Sequence, residues 1–157
     1  MDGDTGSVLL IDEDRGVLQR SARVLERAGF ACVTMADPGE AMDRLQGSPA
    51  VDLVLLEPQL QSLDGIGLMR GIRDRFAGRP WLQLIVLTGA PSLTSAIEAL
   101  RLEAADYLQK PVAAEALVQG VRRAALRAAA QRSGVPTSGS TEQLLRLVWQ
   151  IHAARRA

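Results

Sequence analysis

Asp12, Glu13 and Asp14 follow directly on the apolar run SVLLI, and a fourth carboxylate, Glu57, closes the apolar run VDLVLL. Thr88 and Gly89 close a third run, LQLIVL, and Lys110 and Pro111 follow the short stretch DYLQ. Acidic side chains delivered by two neighbouring strand ends make a hard-cation site, and one with few protein carboxylates and several waters suits Mg²⁺. A hydroxyl and an ammonium facing it, here Thr88 and Lys110, are what a bound phosphoryl oxygen needs. No single one of these residues is specific. TG after a strand is commonplace, Lys-Pro is a turn, and an acidic triplet alone marks a solvated helix start. Their common placement, each at the C-terminal end of an apolar run, is what carries weight.

The elements that must position them alternate five times. SVLLI and ACVTM read as short strands, and VDLVLL is a continuous apolar run that suits a strand covered on both faces. LQLIVL is the fourth strand and DYL a short fifth. Between them, residues 14–28 carry Val17, Leu18, Ala22, Leu25 and Ala28 at helical spacing and stop at Gly29, a suitable C′ residue. A second helix opens near Asp37-Pro38, with an N-cap and proline at N1. Residues 65–76 form a third helix, softened by Gly67 and Gly71, each worth about 1 kcal/mol against alanine. Residues 92–102 and 113–132 form the last two. Strands alternating with helices in this way predict an α/β domain, a parallel sheet with helices on both faces. Ligands of such sheets bind at the carboxyl edge, where all these polar residues fall.

The totals restrict the function classes. A hydrophobic fraction of 47% in 157 residues supports one cored domain and a short tail. Lys+Arg and Asp+Glu balance at 18 each, so overall charge points to neither an acidic nor a nucleic-acid partner. The single cysteine, Cys32, has no partner for an internal disulfide and reads as a small apolar side chain in a reducing compartment. No apolar stretch reaches the ~18 residues of a membrane span, and MDGDTGS lacks the basic start of a signal peptide. A soluble cytoplasmic protein without membrane contact is expected.

The order of the polar residues is specific where the residues are not. An acidic pair after strand one, an acid after strand three with DG seven and eight residues on, Thr after strand four and DYLQKP after strand five resemble the receiver domain of two-component response regulators, over residues 7–132. The resemblance implies a flavodoxin-like sheet of order 2-1-3-4-5. It also implies a phosphoryl group moved from a sensor histidine kinase, or a phosphotransfer protein, to an aspartate at the end of strand three. That position is Glu57. By the same carry-over Glu13 binds Mg²⁺ directly and Asp12 through water, Gln59 offers its backbone carbonyl, and Thr88 is the switch hydroxyl beside Gly89. Lys110 pairs with carboxylate or phosphate, Tyr107 is the aromatic switch, and Pro111 follows a cis peptide. Four positions depart from the family pattern: Glu57 for aspartate, Gln61 for proline, Glu103 for glycine in a turn favouring φ > 0, and Asp-Glu for the first acidic pair.

Glu57 changes the chemistry. Phosphoryl transfer rests on positioning, and about 1 Å of misplacement can cost about 10²-fold. Glutamate's extra methylene moves the carboxylate by about that much, so weak or absent phosphorylation is expected. The longer side chain also carries negative charge toward Thr88 and Lys110. Three explanations stay open: a receiver signalling without phosphorylation, an engineered Asp→Glu activating substitution, or an acid that only keeps metal and fold together, its purely structural form being an inactive pseudo-receiver whose acid satisfies Lys110. A different class, the haloacid-dehalogenase-type phosphatase, is similar in LLIDED, where Asp12 and Asp14 have the right spacing. Gly16 stands in its Thr/Val position, no second acidic motif follows the lysine, and no cap domain is expected.

Residues 1–6 are expected to be disordered, 133–140 (SGVPTSGS) to be a linker, and 141–157 a helix with Leu144, Leu147, Val148 and Ile151 along one side. That helix suggests an interdomain or dimerisation segment, or the start of a truncated output domain of a transcriptional regulator. Its Arg146, Arg155 and Arg156 alone do not read DNA, and its His152 has a surface or packing role. Receivers of similar kind pair through the fourth helix, fifth strand and fifth helix. Here that face carries Glu98, Arg101, Asp106, Glu115, Arg122 and Arg123, with the apolar AALRAAA end of the last helix as a competing surface.

Overall fold

The computed structural model describes residues 6–134, 149–151 and 153. Five strands, β1 (Ser7–Ile11), β2 (Ala31–Met35), β3 (Val51–Leu56), β4 (Gln83–Thr88) and β5 (Asp106–Gln109), form one sheet of order β2-β1-β3-β4-β5. Every neighbouring pair is parallel. Helices α1 (Arg15–Arg27), α2 (Ala41–Gln46), α3 (Gly65–Arg75), α4 (Leu93–Arg101) and α5 (Ala114–Arg132) cover it. This is the parallel sheet with helices on both faces expected from the strand and helix alternation, in the flavodoxin-like order that the family resemblance implied.

Strand periodicity sorts the core into two layers. Leu9, Ile11, Val54, Leu56, Leu84 and Val86 face α2, α3 and α4, against Ala41, Leu45, Met69, Ile72, Ala96 and Ala99. The alternate positions Val8, Leu10, Leu53, Leu55, Ile85 and Leu87 face α1 and α5, against Leu18, Leu25, Leu117, Val121 and Ala124. Successive side chains of a strand point to opposite faces, so a run apolar at every position is required for a sheet covered on both sides.

Local signals set most of the helix ends. Asp14 caps α1, accepting from the amides of Gly16 (2.9 Å) and Val17 (3.2 Å). At its other end Gly29 takes φ 98°, while Gly29 N donates to Glu26 O and Phe30 N to Leu25 O. That is the Schellman arrangement, with buried Phe30 and Leu25 as its apolar contact. The Asp37-Pro38 start first makes a 3₁₀ turn, Pro38–Glu40, and only then α2, so the α-helix itself begins three residues later than the sequence suggested. Strand β4 sits one residue later than LQLIVL. Leu82 N is spent on the Arg79 carbonyl in the preceding turn, and Thr88 extends the ladder by accepting from Lys110 N at 2.8 Å. Cys32, half-buried on β2, packs at the α1/α5 layer. Burial, and secondarily the charge of Glu26, push its thiol up to about 11, so it holds little thiolate at neutral pH.

The C-terminus of α4 is closed by a second Schellman arrangement, with Glu103 N donating to Leu100 O and Ala104 N to Ala99 O. Glu103 is its C′ residue and adopts φ 55°, the left-handed conformation expected for the glycine this position replaces. A side chain there costs about 1–2 kcal/mol, and glycine's extra freedom in the unfolded chain returns about 0.5–1 kcal/mol of that. Glu103→Gly is therefore expected to stabilise the protein by about 0.5–1 kcal/mol. A urea transition with an unraised midpoint would reject this account of strain.

The linker expected at 133–140 and the helix at 141–157 lie mostly outside the described residues, as do residues 1–5. Ser133 and Gly134 close α5 in a turn. Of the tail, Trp149, Gln150, Ile151 and Ala153 are helical; Ile151 is buried in the layer of α2, α3 and α4, while Trp149 is 75% exposed. His152 and the three tail arginines are not among the described side chains.

Candidate functional site

The ladder hydrogen bonds continue just past the strand ends and fix the polar residues there. Asp12 N donates to Met35 O (3.2 Å), Glu57 N to Ile11 O (3.1 Å) and Lys110 N to Thr88 O (2.8 Å). Asp12 and Glu57 are only 7% and 6% exposed, and Thr88 is fully buried. Carboxylates this withdrawn from water require partners.

They find them in one another's neighbourhood. Lys110 Nζ lies 2.5 Å from Asp12 Oδ2 and 3.0 Å from Glu57 Oε2. Glu57 Oε2 also accepts from the Gly89 amide at 3.0 Å, and Oε1 from the Gln59 amide at 2.7 Å. Asp12 Oδ1 accepts from Asp14 N at 2.9 Å. Burial draws the Lys110 ammonium below its ordinary value. The hydrogen bonds and charges of Asp12 and Glu57 outweigh that, and its pKa is raised overall.

The acidic triplet thus divides into three roles. Asp12 enters the pocket and Asp14 caps α1, whereas Glu13 turns away to the β3–α3 loop, where its Oε1 accepts from Gln61 N (2.6 Å), Ser62 N (3.1 Å) and Ser62 Oγ (3.3 Å). Glu13, expected to bind a cation directly beside Asp12 and Glu57, is engaged here by the loop instead. Among the described residues no three His, Cys, Asp or Glu side chains are grouped to hold a metal ion. The reason is electrostatic. Lys110 already supplies a positive charge between Asp12 and Glu57, and the loop amides supply donors to Glu13. Mg²⁺ at this edge would be held by Asp12, Glu13 and Glu57, with Lys110 and the loop amides competing for the same oxygens.

The positions expected to act as a switch are also engaged. Thr88 Oγ1 accepts from Ala90 N at 3.0 Å. The buried Tyr107 hydroxyl shares a hydrogen bond with Ser95 Oγ (2.7 Å) and accepts from Ser92 N (3.2 Å), joining the N-cap of α4. The peptide before Pro111 is cis, as the family resemblance implied. On the face expected to dimerise, Arg123 pairs with Asp106 at 2.9 Å and Glu98 pairs with Arg70 and Arg101, all within the chain.

Two positioning features escaped the sequence reading. A Cβ on Gly65 would stand 2.2 Å from the Pro58 carbonyl oxygen, so only glycine lets α3 begin this close to the loop after Glu57. The DG spacing was its sequence signal: Asp64 caps α3 through Ile66 N at 3.1 Å, and the next residue must lack a side chain. The second feature is the reach of Arg70 and Arg73 from α3 to α4, for which the sequence carries no local sign.

An open parallel sheet with an acid-lysine pocket at its carboxyl edge, flanked by a buried threonine and a buried tyrosine, is the arrangement of the CheY-like class. Residues 8–122 match the response regulator receiver domain, and the chain belongs to that family, the signalling module of two-component systems. It is 35% identical over 117 residues to the two-component response regulator PprB of Pseudomonas aeruginosa, covering 74% of this chain and 42% of that one. Over 154 residues it is 34% identical to the C4-dicarboxylate transport transcriptional regulatory protein DctD of Rhizobium meliloti, covering 90% of this chain and 33% of that one. The chain thus spans less than half the length of these curated relatives. A response regulator receiver domain from Clostridium thermocellum superposes with TM-score 0.70 at 28% identity, over 78% of this chain and 95% of that structure.

Proposed function

We propose that this chain is a receiver that signals through conformation and self-association without requiring phosphorylation, Glu57 standing where the acceptor aspartate would be. One observation carries the reading: Glu57 Oε2 accepts from both Lys110 Nζ and the Gly89 amide, at 3.0 Å each, so an anion already occupies those two donors. One carboxylate supplies one charge against about two for a phosphate, so it imitates the phosphorylated site only in part. The bias toward an active state is limited to the difference in contact energy between the two states.

A sensor histidine kinase or phosphotransfer protein is the partner class, and a transcriptional output beyond this stretch would supply any DNA contact. Cytoplasmic placement goes with that role, and no helix among the described residues is long and apolar enough to cross a membrane. Mg²⁺ enters this reading as a competitor, which must displace Lys110 from Asp12 and draw Glu13 from its loop. A haloacid-dehalogenase-type phosphatase is disfavoured because Asp14, its second required acid, is spent capping α1.

Sedimentation equilibrium tests the proposal. The present chain is expected to dimerise through α4, β5 and α5, Arg122→Glu to weaken that dimer, and the uncharged Glu57→Gln to lower the dimer fraction by several-fold. Equal association of the chain and Glu57→Gln would show that the Glu57 charge sets nothing, and the pseudo-receiver reading would then replace this one.

A further inference from the structure

Helix α4 is held on its flank and at its C-terminal end by two arginines of α3. Glu98, on α4, is a charged residue only 8% exposed. Its carboxylate meets Arg70 at two points, Nε to Oε2 at 3.1 Å and Nη2 to Oε1 at 3.0 Å. Its own helix adds Arg101 at 3.3 Å. Arg73, three residues beyond Arg70 and so on the same side of α3, reaches further. Its Nε donates to Leu102 O at 2.8 Å, its Nη2 to Glu103 O at 3.3 Å and its Nη1 to Leu82 O ahead of β4. Leu102 is the C-cap of α4 and Glu103 the residue at positive φ. The Arg73 guanidinium thus occupies the free carbonyls that a helix end leaves, where a cation is most favourable.

The other end of α3 is tied to the acidic edge. Its cap Asp64 and close-packed Gly65 follow the loop whose Gln61 and Ser62 amides are held by Glu13. Glu13 stands between Asp12, in the pocket, and Asp14, the cap of α1. A continuous series of contacts therefore runs from the end of β1 through the loop and α3 to the flank and end of α4.

We propose that Arg70 and Arg73 are positioning residues that make α3 and α4 move as one body, and that Glu13, through the Gln61–Ser62 loop, sets where that body sits. The acidic edge is thereby linked to α4 by a route that bypasses Thr88 and Tyr107. The inference stands on the contacts above and not on the phosphorylation-independent reading, since it is tested without any phosphodonor or dimer. Spatial continuity by itself is not coupling, so the test must measure coupling.

The experiment is hydrogen exchange of the full chain read by mass spectrometry, in Glu13→Ala, Arg70→Gln and the double variant. Glu13→Ala is expected to speed exchange in the loop 59–64 and, roughly three- to tenfold, in α4 residues 96–102, with α5 unchanged as a control for folding. In the Arg70→Gln background the same substitution is expected to free the loop but add less at α4, where Arg73 alone still ties the helix end. The charge-swapped pair Arg70→Glu with Glu98→Arg restores the α4 response, and Tyr107→Phe leaves it intact. Should Glu13→Ala fail the folding control, Glu13→Gln, which keeps the size and removes the charge, is expected to give the same pattern at smaller amplitude. The proposal is overturned by an α4 that does not respond to Glu13 variants, by an equal response with and without Arg70, or by loss of the response in Tyr107→Phe.

Discussion

Lys110→Met should lower folding stability by about 3 kcal/mol at neutral pH, because it leaves two nearly buried carboxylates facing each other without a cation. Removing one partner of a buried ion pair typically costs about 3–5 kcal/mol, and the low end applies here because Glu57 keeps its Gln59 and Gly89 amides and Asp12 its Asp14 amide. Against a total of about 5–15 kcal/mol for a domain, that is a large share. Methionine preserves the length of the apolar stem, so the loss reports charge and not packing. The pH dependence has a definite sign. The folded pKa of Lys110 is raised above its ordinary 10.5, so its contribution is complete below that value and lost as pH rises through the folded pKa. The deficit of Lys110→Met relative to the parent should accordingly be constant near neutrality and shrink only in the alkaline range above about 10.5.

The same variant decides what Mg²⁺ does here. In the parent, Lys110 already serves Asp12 and Glu57, and millimolar Mg²⁺ is expected to leave the melting midpoint unmoved. Once the lysine is gone, the two acids are short of a cation and Mg²⁺ should recover part of the lost stability by mass action. Urea and thermal midpoints of both proteins, with and without the ion, are sufficient. A Lys110→Met variant within about 0.5 kcal/mol of the parent would mean that the ammonium is dispensable and the electrostatic account of the pocket is wrong.

The strand ends were legible because a parallel sheet leaves little freedom: once VDLVLL is a strand buried on both faces, its last residue must emerge at the carboxyl edge beside that of SVLLI. Asp12, Glu57, Gly89 and Lys110 met there for that reason. Glu13 did not, although it is adjacent in sequence, because its direction depends on the conformation of a loop 48 residues away. The Asp14 cap was visible as a helix start, yet nothing local told which acid of the triplet would cap and which would enter the pocket. Glu103 was readable as a strained turn because left-handed backbone is a property of the residue itself. Arg70 and Arg73 were not. Two arginines three residues apart on a helix look like a solvated face, and their acceptors, Glu98 and the Leu102 carbonyl, lie 28 and 29 residues on.

Glu57→Asp is expected to become a phosphoacceptor while the present sequence stays unmodified, a change from no detectable product to stoichiometric labelling. Shortening the side chain by one methylene withdraws the carboxylate by about the 1 Å that separates productive from unproductive geometry, worth about 10²-fold in rate. It also takes the charge out of reach of the Gly89 amide, leaving that donor and Lys110 to face an incoming phosphoryl oxygen where Glu57 now faces them. The assay incubates each protein with acetyl phosphate, with and without Mg²⁺, and reads intact mass. A single phosphoryl adduct removed by hydroxylamine is the signature of an acyl phosphate. The small donor brings its own leaving group, so no kinase is required. If Glu57→Asp folds with the parent's stability yet stays unlabelled, the obstruction lies elsewhere in the pocket. The contact of Glu13 with the Gln61 amide is then the first place to look, because it holds the loop beside the acceptor in its present position. If it labels, the glutamate alone blocks the chemistry, and the donors around it are those of a working acceptor site already occupied by the protein's own anion.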